Sequence, residues 1–465
     1  MSVPVAHGRV LPTLNEDGSR NWLRPKPAAG WWWERRRAVA YALMVVFLGL
    51  PHLHVNGMPA VLLDLPRRQF AILGATFLPT DTLLLMLLLA SCLIAIFLFS
   101  ALFGRVWCGW ACPQTVYMEW VFRPLERWLE GGRSGSLGID RTHPWVHPRR
   151  LFKYLVYVLI SLGLAHTFLA YFVGVAALEE WVRLSPYEHP VPFVVMAVTT
   201  GLIFHNFTFF REQTCLIACP YGRWQSALLD NQSLVVAYDA TRGEPRAHVG
   251  AQRPANAGDC IACNACVTTC PTGIDIRHGL QMECIHCTQC MDACDEIMAR
   301  VGKPPGLIRY SSLAALAGKP RHMLRPRVVL YPAAFALAFG GFLYAVTTRS
   351  HADITLLRGT AAPFTVEPDG RVANQVRVKI ANRSRSERSY SISVSGVDGG
   401  QVIAPESPLT IRAGEQRTTS VFVLLPRAAF TKGRRDVQVI ITNGDDFSGT
   451  FAFNLLGPVG AGSGP

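Results

Sequence analysis

The cysteines between residues 260 and 294 carry the strongest chemical signal in this chain. Cys260, Cys263, Cys266 and Cys270, followed by Pro271, make a C-x2-C-x2-C-x3-C-P run, and Cys284, Cys287, Cys290 and Cys294 repeat that spacing at once. Three thiolates at this spacing wrap one face of a [4Fe–4S] cubane, and in two-cluster proteins the fourth cysteine of each run ligates the other cluster. The pattern assigns Cys260, Cys263, Cys266 and Cys294 to one cluster, and Cys270, Cys284, Cys287 and Cys290 to the second. C-x2-C pairs also suit tetrahedral zinc, but the doubled run argues against that reading. Each such cluster would pass one electron at a time.

Four more cysteines form a second repeat. Cys108-Gly-Trp-Ala-Cys112-Pro113 and Cys215-Leu-Ile-Ala-Cys219-Pro220 are both C-x3-C-P, and each follows a pair of apolar runs. On a helix, residues i and i+4 share a face, so each motif is expected to present two thiols together, with the proline loosening the backbone. Soft thiolates select Cu(I), so Cys108, Cys112, Cys215 and Cys219 are candidate copper ligands or catalytic thiols; a thiol redox relay and plain packing are the alternatives. Cys92 stands alone within an apolar run and reads as packing, with a copper relay beside Met86 as the rival. His52 and His54 could touch copper. His166 and His205 fall inside apolar runs, where histidines on facing helices could ligate haem, but no spacing singles that out. Glu119 and Glu126 are expected to balance Arg123 and Arg127.

The elements that must position these groups are largely apolar. Half of the 465 residues are hydrophobic, and the mean hydropathy is +0.23. Runs at 38–57, 82–103, 151–173, 191–210 and 328–346 approach or exceed the ~18 residues that span a bilayer core as helix. The first follows Arg35, Arg36 and Arg37 and lacks a small-residue cleavage site, so it reads as a span and not a signal peptide. The net charge of +13 is unevenly spread. Arginines crowd the N-terminus, 104–150 and 211–327, whereas the segment after the third run carries Glu179, Glu180 and Glu188. The positive-inside rule places the basic stretches in the cytoplasm and the C-terminal region outside, in the periplasm of a Gram-negative cell. Arg67 and Arg68 run mildly against it. Basicity here reports topology, which argues against nucleic-acid binding. No cysteine follows Cys294, and reducing conditions inside favour metal ligation over disulfides.

The chain divides into a loose cytoplasmic tail at 1–37, a membrane domain at 38–220, a linker at 221–257, the cluster domain at 258–300, a basic linker at 301–327 and a last span at 328–346. Gly131–Gly138 reads as a flexible break. Beyond residue 350 the periodicity switches to two. Val376, Val378 and Ile380 alternate with Arg377 and Lys379, Tyr390, Ile392 and Val394 alternate with serines, and Asp369-Gly370, Asp398-Gly399 and Asn443-Gly444 supply turns. This predicts an immunoglobulin-like β-sandwich at 355–457. The predicted architecture is thus multi-domain: an α-helical membrane bundle of five transmembrane helices, an inserted bacterial-type 2[4Fe–4S] ferredoxin domain and a C-terminal β-sandwich.

Several stretches together resemble the FixG/CcoG (RdxA) family of cytochrome oxidase accessory proteins. They are Gly104-Arg-Val-Trp-Cys-Gly-Trp-Ala-Cys-Pro-Gln114, Arg211-Glu-Gln-Thr-Cys-Leu-Ile-Ala-Cys-Pro220, Asp259 through Asp295, Pro305-Gly-Leu-Ile-Arg-Tyr310, Ala60-Val-Leu-Leu-Asp-Leu65 and Leu234-Val-Val-Ala-Tyr238. The order of parts matches as well, from about residue 35 to 456. The resemblance implies an inner-membrane protein that matures the cbb3-type cytochrome c oxidase, with reduction of Cu(II) to Cu(I) as its activity. The partners it implies are a cytosolic electron donor, a copper chaperone or transporter and the oxidase subunits, besides the lipid bilayer; a homodimer stays open. Two other readings stand beside it: a general electron carrier to quinone or a periplasmic redox partner, and a non-catalytic assembly scaffold. Asp295 stands where a second proline would follow the cysteine run, which alters packing near one cluster.

Overall fold

The computed structural model describes residues 12–458, apart from 16, 18, 56–57, 66–68, 78–80, 143–145, 251–252, 321–324, 361 and 385. Arg67 and Arg68 therefore lie outside the described residues. The chain forms two compact units. One contains the described part of 1–53, Leu62–Asp64 and Thr82–Phe342; the other contains His54–Val61, Leu65–Asp81 and the segment from Leu343 onward.

In the first unit, helix α1 (Trp31–Gly49) is followed by α2 (Thr82–Phe103), α3 (Val106–Trp110), α4 (Pro113–Tyr117), α5 (Arg123–Glu130), α6 (Gly132–Thr142), α7 (Pro148–Val173), α8 (Val175–Arg183), α9 (Pro190–His205) and α10 (Pro220–Leu228). Helices α11 (Gln289–Arg300) and α12 (Pro326–Thr348) come later. Four described helices are long and apolar enough to cross a bilayer: Thr82–Phe103, Pro148–Val173, Pro190–Phe210 and Pro326–Thr348. Helix α1 is not among them. Glu34, Arg35, Arg36 and Arg37 fill its first turns and it ends at Gly49, leaving about 18 Å of apolar helix at ~1.5 Å per residue against a hydrocarbon core of ~30 Å.

Three sequence expectations change here. Gly131–Gly138 is not a flexible break, because α6 runs through it. The described part of the N-terminal tail is not loose: Lys26 N–H donates to Thr268 O at 2.9 Å, and the guanidinium of Arg24 is buried against carboxylates. Cys92 is exposed on α2 and does not pack into an interior. Within the former linker, Val235–Tyr238 pairs antiparallel with Ile308–Ser311, from Val235 opposite Ser311 to Tyr238 opposite Ile308, and so closes the cluster region from both ends.

In the second unit, two short antiparallel pairs join His54–Val55 to Met58–Pro59 and Gln69–Ile72 to Ala75–Phe77. The C-terminal segment is a sandwich of two antiparallel sheets. One orders Gln401–Ile403, Gln416–Pro426, Arg371–Asn382 and Ala352–Arg358; the other orders Leu409–Ile411, Arg388–Ser395, Arg434–Thr442 and Ser448–Leu456. Inward residues Val372, Val376, Val378, Ile380, Tyr390, Val423, Leu425, Val439 and Ile441 make the core. Along Arg371–Asn382 buried and half-buried residues alternate, as a strand with one face on a core requires.

Candidate functional site

The two cysteine runs fold alike because their loops adopt the same unusual backbone. Ala262 and Asn264 in the first run, and His286 and Thr288 at the equivalent places in the second, all have φ between 53° and 63°. Non-glycine residues enter this left-handed region at a cost, and such strain gathers where a loop must wrap a ligand. Cys290 and Cys294 follow on α11 one turn apart. Cys294 faces Cys266 most strongly, then Asp295, Cys263 and Cys260, whereas Cys290 faces Cys287, Cys284 and Cys270 before Cys266.

An enclosed cavity is lined by Cys266, Cys270, Cys284, Cys287 and Cys290, walled by Ile274, Ile276 and Ile285. Burial pushes the thiols of Cys266, Cys284 and Cys294 up to about 12 and that of Cys287 to about 11. Thiolates are therefore disfavoured here unless a cation compensates them, which iron does by deprotonating its thiols outright. The donor set fits an iron–sulfur group.

The C-x3-C-P motifs are built differently from expectation. Cys108 lies in α3, which ends at Trp110, and Cys112 is extended. Cys215 lies in a π-helical turn, Thr214–Ala218, and Cys219 is again extended. The two thiols of a motif do not share the face of one α-helix, so that expectation fails. Pro113 and Pro220 start α4 and α10 instead of loosening a helix, since a first-turn position needs no N–H. The motifs nevertheless approach each other: a Cβ on Gly222, just after Cys219, would lie 3.4 Å from Cys215 O and 2.8 Å from the guanidinium of Arg105, which precedes Cys108. Burial raises Cys215 to about 12 and Cys108 to about 11, the latter opposed by Arg105. Among the described residues no three His, Cys, Asp or Glu side chains stand at ion-binding distance.

The first motif is pressed against the second cysteine loop. A Cβ on Gly109 would lie 2.5 Å from Ile285 O and 2.9 Å from Cys287 N, so only glycine permits this approach. Cys108, Ile285 and Cys287 form one buried apolar cluster with Tyr221 against it. Gly104, with φ +61°, turns the chain out of α2 where a Cβ would strike Leu234 O. The next residue, Arg105, donates its N–H to His286 Nδ1 at 3.2 Å and a guanidinium N–H to Met282 O. Trp110 Nε1 donates to Tyr310 Oη at 3.1 Å, and Tyr310 Oη to His286 O at 3.2 Å.

Below this lies a buried ionic network. Glu126 accepts Arg24, Lys153 and Arg211 at 2.6, 3.0 and 3.0 Å, and Glu119 pairs with Arg123 and accepts Gln289 Nε2 at 3.0 Å. Burial opposes both carboxylates, but these cations hold Glu119 below, and Glu126 well below, the usual range. Arg123, expected for Glu119, is found there; Glu126 has taken Arg24, Lys153 and Arg211, remote in sequence, as its ion-pair partners. His166 Nδ1 bonds Leu162 O at 2.8 Å, and the His205 ring lies against Phe209 and Phe210. His52 and His54 are exposed.

Comparison with known proteins identifies the domains to which these segments belong. Family models match residues 85–131 as a 4Fe-4S binding domain, 210–313 as a 4Fe-4S dicluster domain and 342–458 as the IG-like fold at the C-terminus of FixG. The nitrogen fixation protein FixG of Rhizobium meliloti is 32% identical over 90% of this chain and 90% of its own length. The chain belongs to the FixG/RdxA family. Protein RdxB of Cereibacter sphaeroides is 35% identical over 86% of this chain and 88% of its own, and Protein RdxA of the same organism 37% over 73% and 74%. As a FixG/RdxA member carrying 4Fe-4S domains and apolar helices, it is a membrane-associated iron–sulfur electron-transfer protein.

Two residues of this FixG/RdxA site carry no sequence signal. Gln225 on α10 is fully buried; its Oε1 accepts the Cys108 thiol at 3.0 Å and its Nε2 donates to Ser100 Oγ at 3.2 Å. Arg36 on α1 is 1% exposed, and its Nε donates to Gly109 O at 3.0 Å.

Proposed function

We propose that this protein delivers single electrons to copper during maturation of a cbb3-type cytochrome c oxidase, reducing Cu(II) to Cu(I). Cys260, Cys263, Cys266 and Cys294 would hold one [4Fe–4S] cluster, and Cys270, Cys284, Cys287 and Cys290 the other; these groups supply one-electron chemistry when bound. Cys108, Cys112, Cys215 and Cys219 bind the copper substrate once their side chains turn toward it, and as soft donors they favour the Cu(I) product. The balance is one electron per copper, with no bond to oxygen made or broken. The observation that carries this reading is the contact of Gly109 with Cys287, which leaves no layer of side chains between the second cluster loop and the Cys108 motif.

In the same proposal the cysteine-rich region faces the cytoplasm and receives electrons from a cytosolic donor. The β-sandwich faces the periplasm. Cu(I) passes to a chaperone, a transporter or the oxidase subunits. The test is anaerobic purification, reduction of the clusters, removal of excess reductant, and addition of Cu(II) with a Cu(I)-specific chelator. One Cu(I) formed per cluster reoxidised is expected, and its loss on changing the four thiols to serine. Clusters that cycle but ignore copper would overturn the proposal.

A second reading, electron transfer to a quinone, is favoured by an apolar cavity of about 670 Å³ among α1, α3, α4, α7 and α9. Its wall includes Trp107, Ala111 and Pro113, the neighbours of Cys108 and Cys112. Reoxidation of the clusters by a short-chain quinone, with no response to copper, would select it.

A further inference from the structure

Arg36 presents an unusual arrangement. It lies in the second turn of α1 and is almost wholly buried. Its Nε is used by Gly109 O at 3.0 Å, yet both terminal nitrogens, Nη1 and Nη2, are buried without any hydrogen-bond partner among the described residues. An orphaned guanidinium end is costly, and charged groups are buried only where something pairs with them. The nearby carboxylates do not supply that pairing. Glu119 feels Arg36 but is occupied by Arg123 and Gln289. Asp292 also feels it but spends its oxygens on the N–H groups of Trp32 and Trp33. Gly109, whose carbonyl Arg36 holds, is itself pressed against Ile285 O and the Cα and N of Cys287, which sets the guanidinium beside the Cys287 loop.

The anchoring of α1 explains why the guanidinium stands here. Asp292 lies on α11 between Cys290 and Cys294, and it holds Trp32 N and Trp33 N at 3.2 and 2.7 Å. Trp32 also packs edge-on to Tyr310, with ring centroids 5.2 Å apart. One turn beyond Trp32, Arg36 is carried to the seam between Gly109 and the Cys287 loop.

We propose that Arg36 donates its Nη–H groups to sulfur of the cluster held by Cys270, Cys284, Cys287 and Cys290, and raises the reduction potential of that cluster above its value without the cation. Net charge and hydrogen bonds to sulfur set such potentials, and a cation favours the more negative, reduced form. The cluster beside the Cys108 motif then becomes the lower-energy resting place for an electron, from which it leaves toward that motif. This rests on the cluster assignment above and not on whether copper or quinone is the final acceptor.

The test is an anaerobic redox titration of the full chain in detergent, followed by electron paramagnetic resonance, with iron content measured alongside. Arg36→Gln and Arg36→Met are expected to lower the midpoint of one cluster signal, the one that Cys284→Ser removes, and leave the other in place. Arg36→Lys, which keeps the charge, is expected to retain most of the original value. Unchanged midpoints with full iron in Arg36→Gln would overturn the proposal, as would equal shifts of both signals. If Arg36→Met loses iron, Arg36→Lys decides: recovered iron with the original midpoint supports the role, and recovered iron with the midpoint lowered as far as in Arg36→Gln excludes it. Cluster reoxidation by the acceptor is a separate readout, so failure of the copper reading leaves this result interpretable.

Discussion

At the residue scale the site turns on Gly109. Its missing side chain lets the first C-x3-C-P motif touch the backbone of Ile285 and Cys287. Gly109→Ala must move that loop or α3, and overpacking of this kind costs about 1–3 kcal/mol. Thermal unfolding of the variant is expected to show that loss. Stopped-flow reoxidation of its clusters by the acceptor is expected to slow more than the stability change explains, because separation between redox groups has grown. Retained speed would place the electron's exit elsewhere. The cysteines were legible as residues, since iron–sulfur ligation imprints a fixed local spacing. Gln225 and Arg36 were not, because each meets its partner from a distant part of the chain and neither spacing nor composition records that.

At the element scale, α1 is tied down at its start by a carboxylate from another helix. Asp292 serves as an N-cap supplied in trans by α11, accepting from two of the orphan donors at the end of α1. Removing a capping oxygen costs roughly 1 kcal/mol. Asp292→Ala is expected to destabilise the first unit by about that amount in denaturant titration, and to loosen α1 as seen by faster hydrogen exchange at Trp32 and Trp33. Normal exchange there would show that α1 is held by its aromatic packing alone. The four apolar helices were legible from length and hydropathy. The break of each C-x3-C-P motif into a short helix and an extended cysteine was not: the i, i+4 rule assumes an unbroken helix, and Pro113 and Pro220 begin new ones.

Across the whole molecule, each unit has its own source of stability. The β-sandwich rests on an apolar core. The first unit instead buries ion pairs that join the N-terminal segment, α5, α7 and the Arg211–Glu212 corner. Glu126 is held well below its unfolded value by Arg211, Arg24 and Lys153 against the cost of burial. Its contribution is therefore complete above about pH 4.5 and is lost as pH falls toward the depressed folded value. Unfolding of the first unit, followed by cluster-independent tryptophan fluorescence of the apoprotein, is expected to become easier as pH drops below that point. Glu126→Gln removes the carboxylate that the three cations share while each keeps another, Arg24 with Asp140, Lys153 with Glu130 and Arg211 with Glu212, and is expected to cost about 1.5–3 kcal/mol at neutral pH, with a flatter acid dependence. An unaltered acid profile in that variant would remove Glu126 from the account.

The sequence by itself determined the doubled cysteine runs of the 4Fe-4S domains, the apolar helices and the alternating strands of the C-terminal sandwich. Each of these is a local pattern, set by ligand spacing, by helix length against bilayer thickness or by the two-residue period of a strand. It also carried the FixG/RdxA resemblance in motifs that the family comparison bears out. Only the tertiary structure decided which thiol motif meets which cysteine loop, which cations surround Glu126, and that the end of Arg36 is left open where Gly109 meets the Cys287 loop. Those are contacts between segments tens to hundreds of residues apart. Packing selects them, and packing leaves no period in the chain to be read.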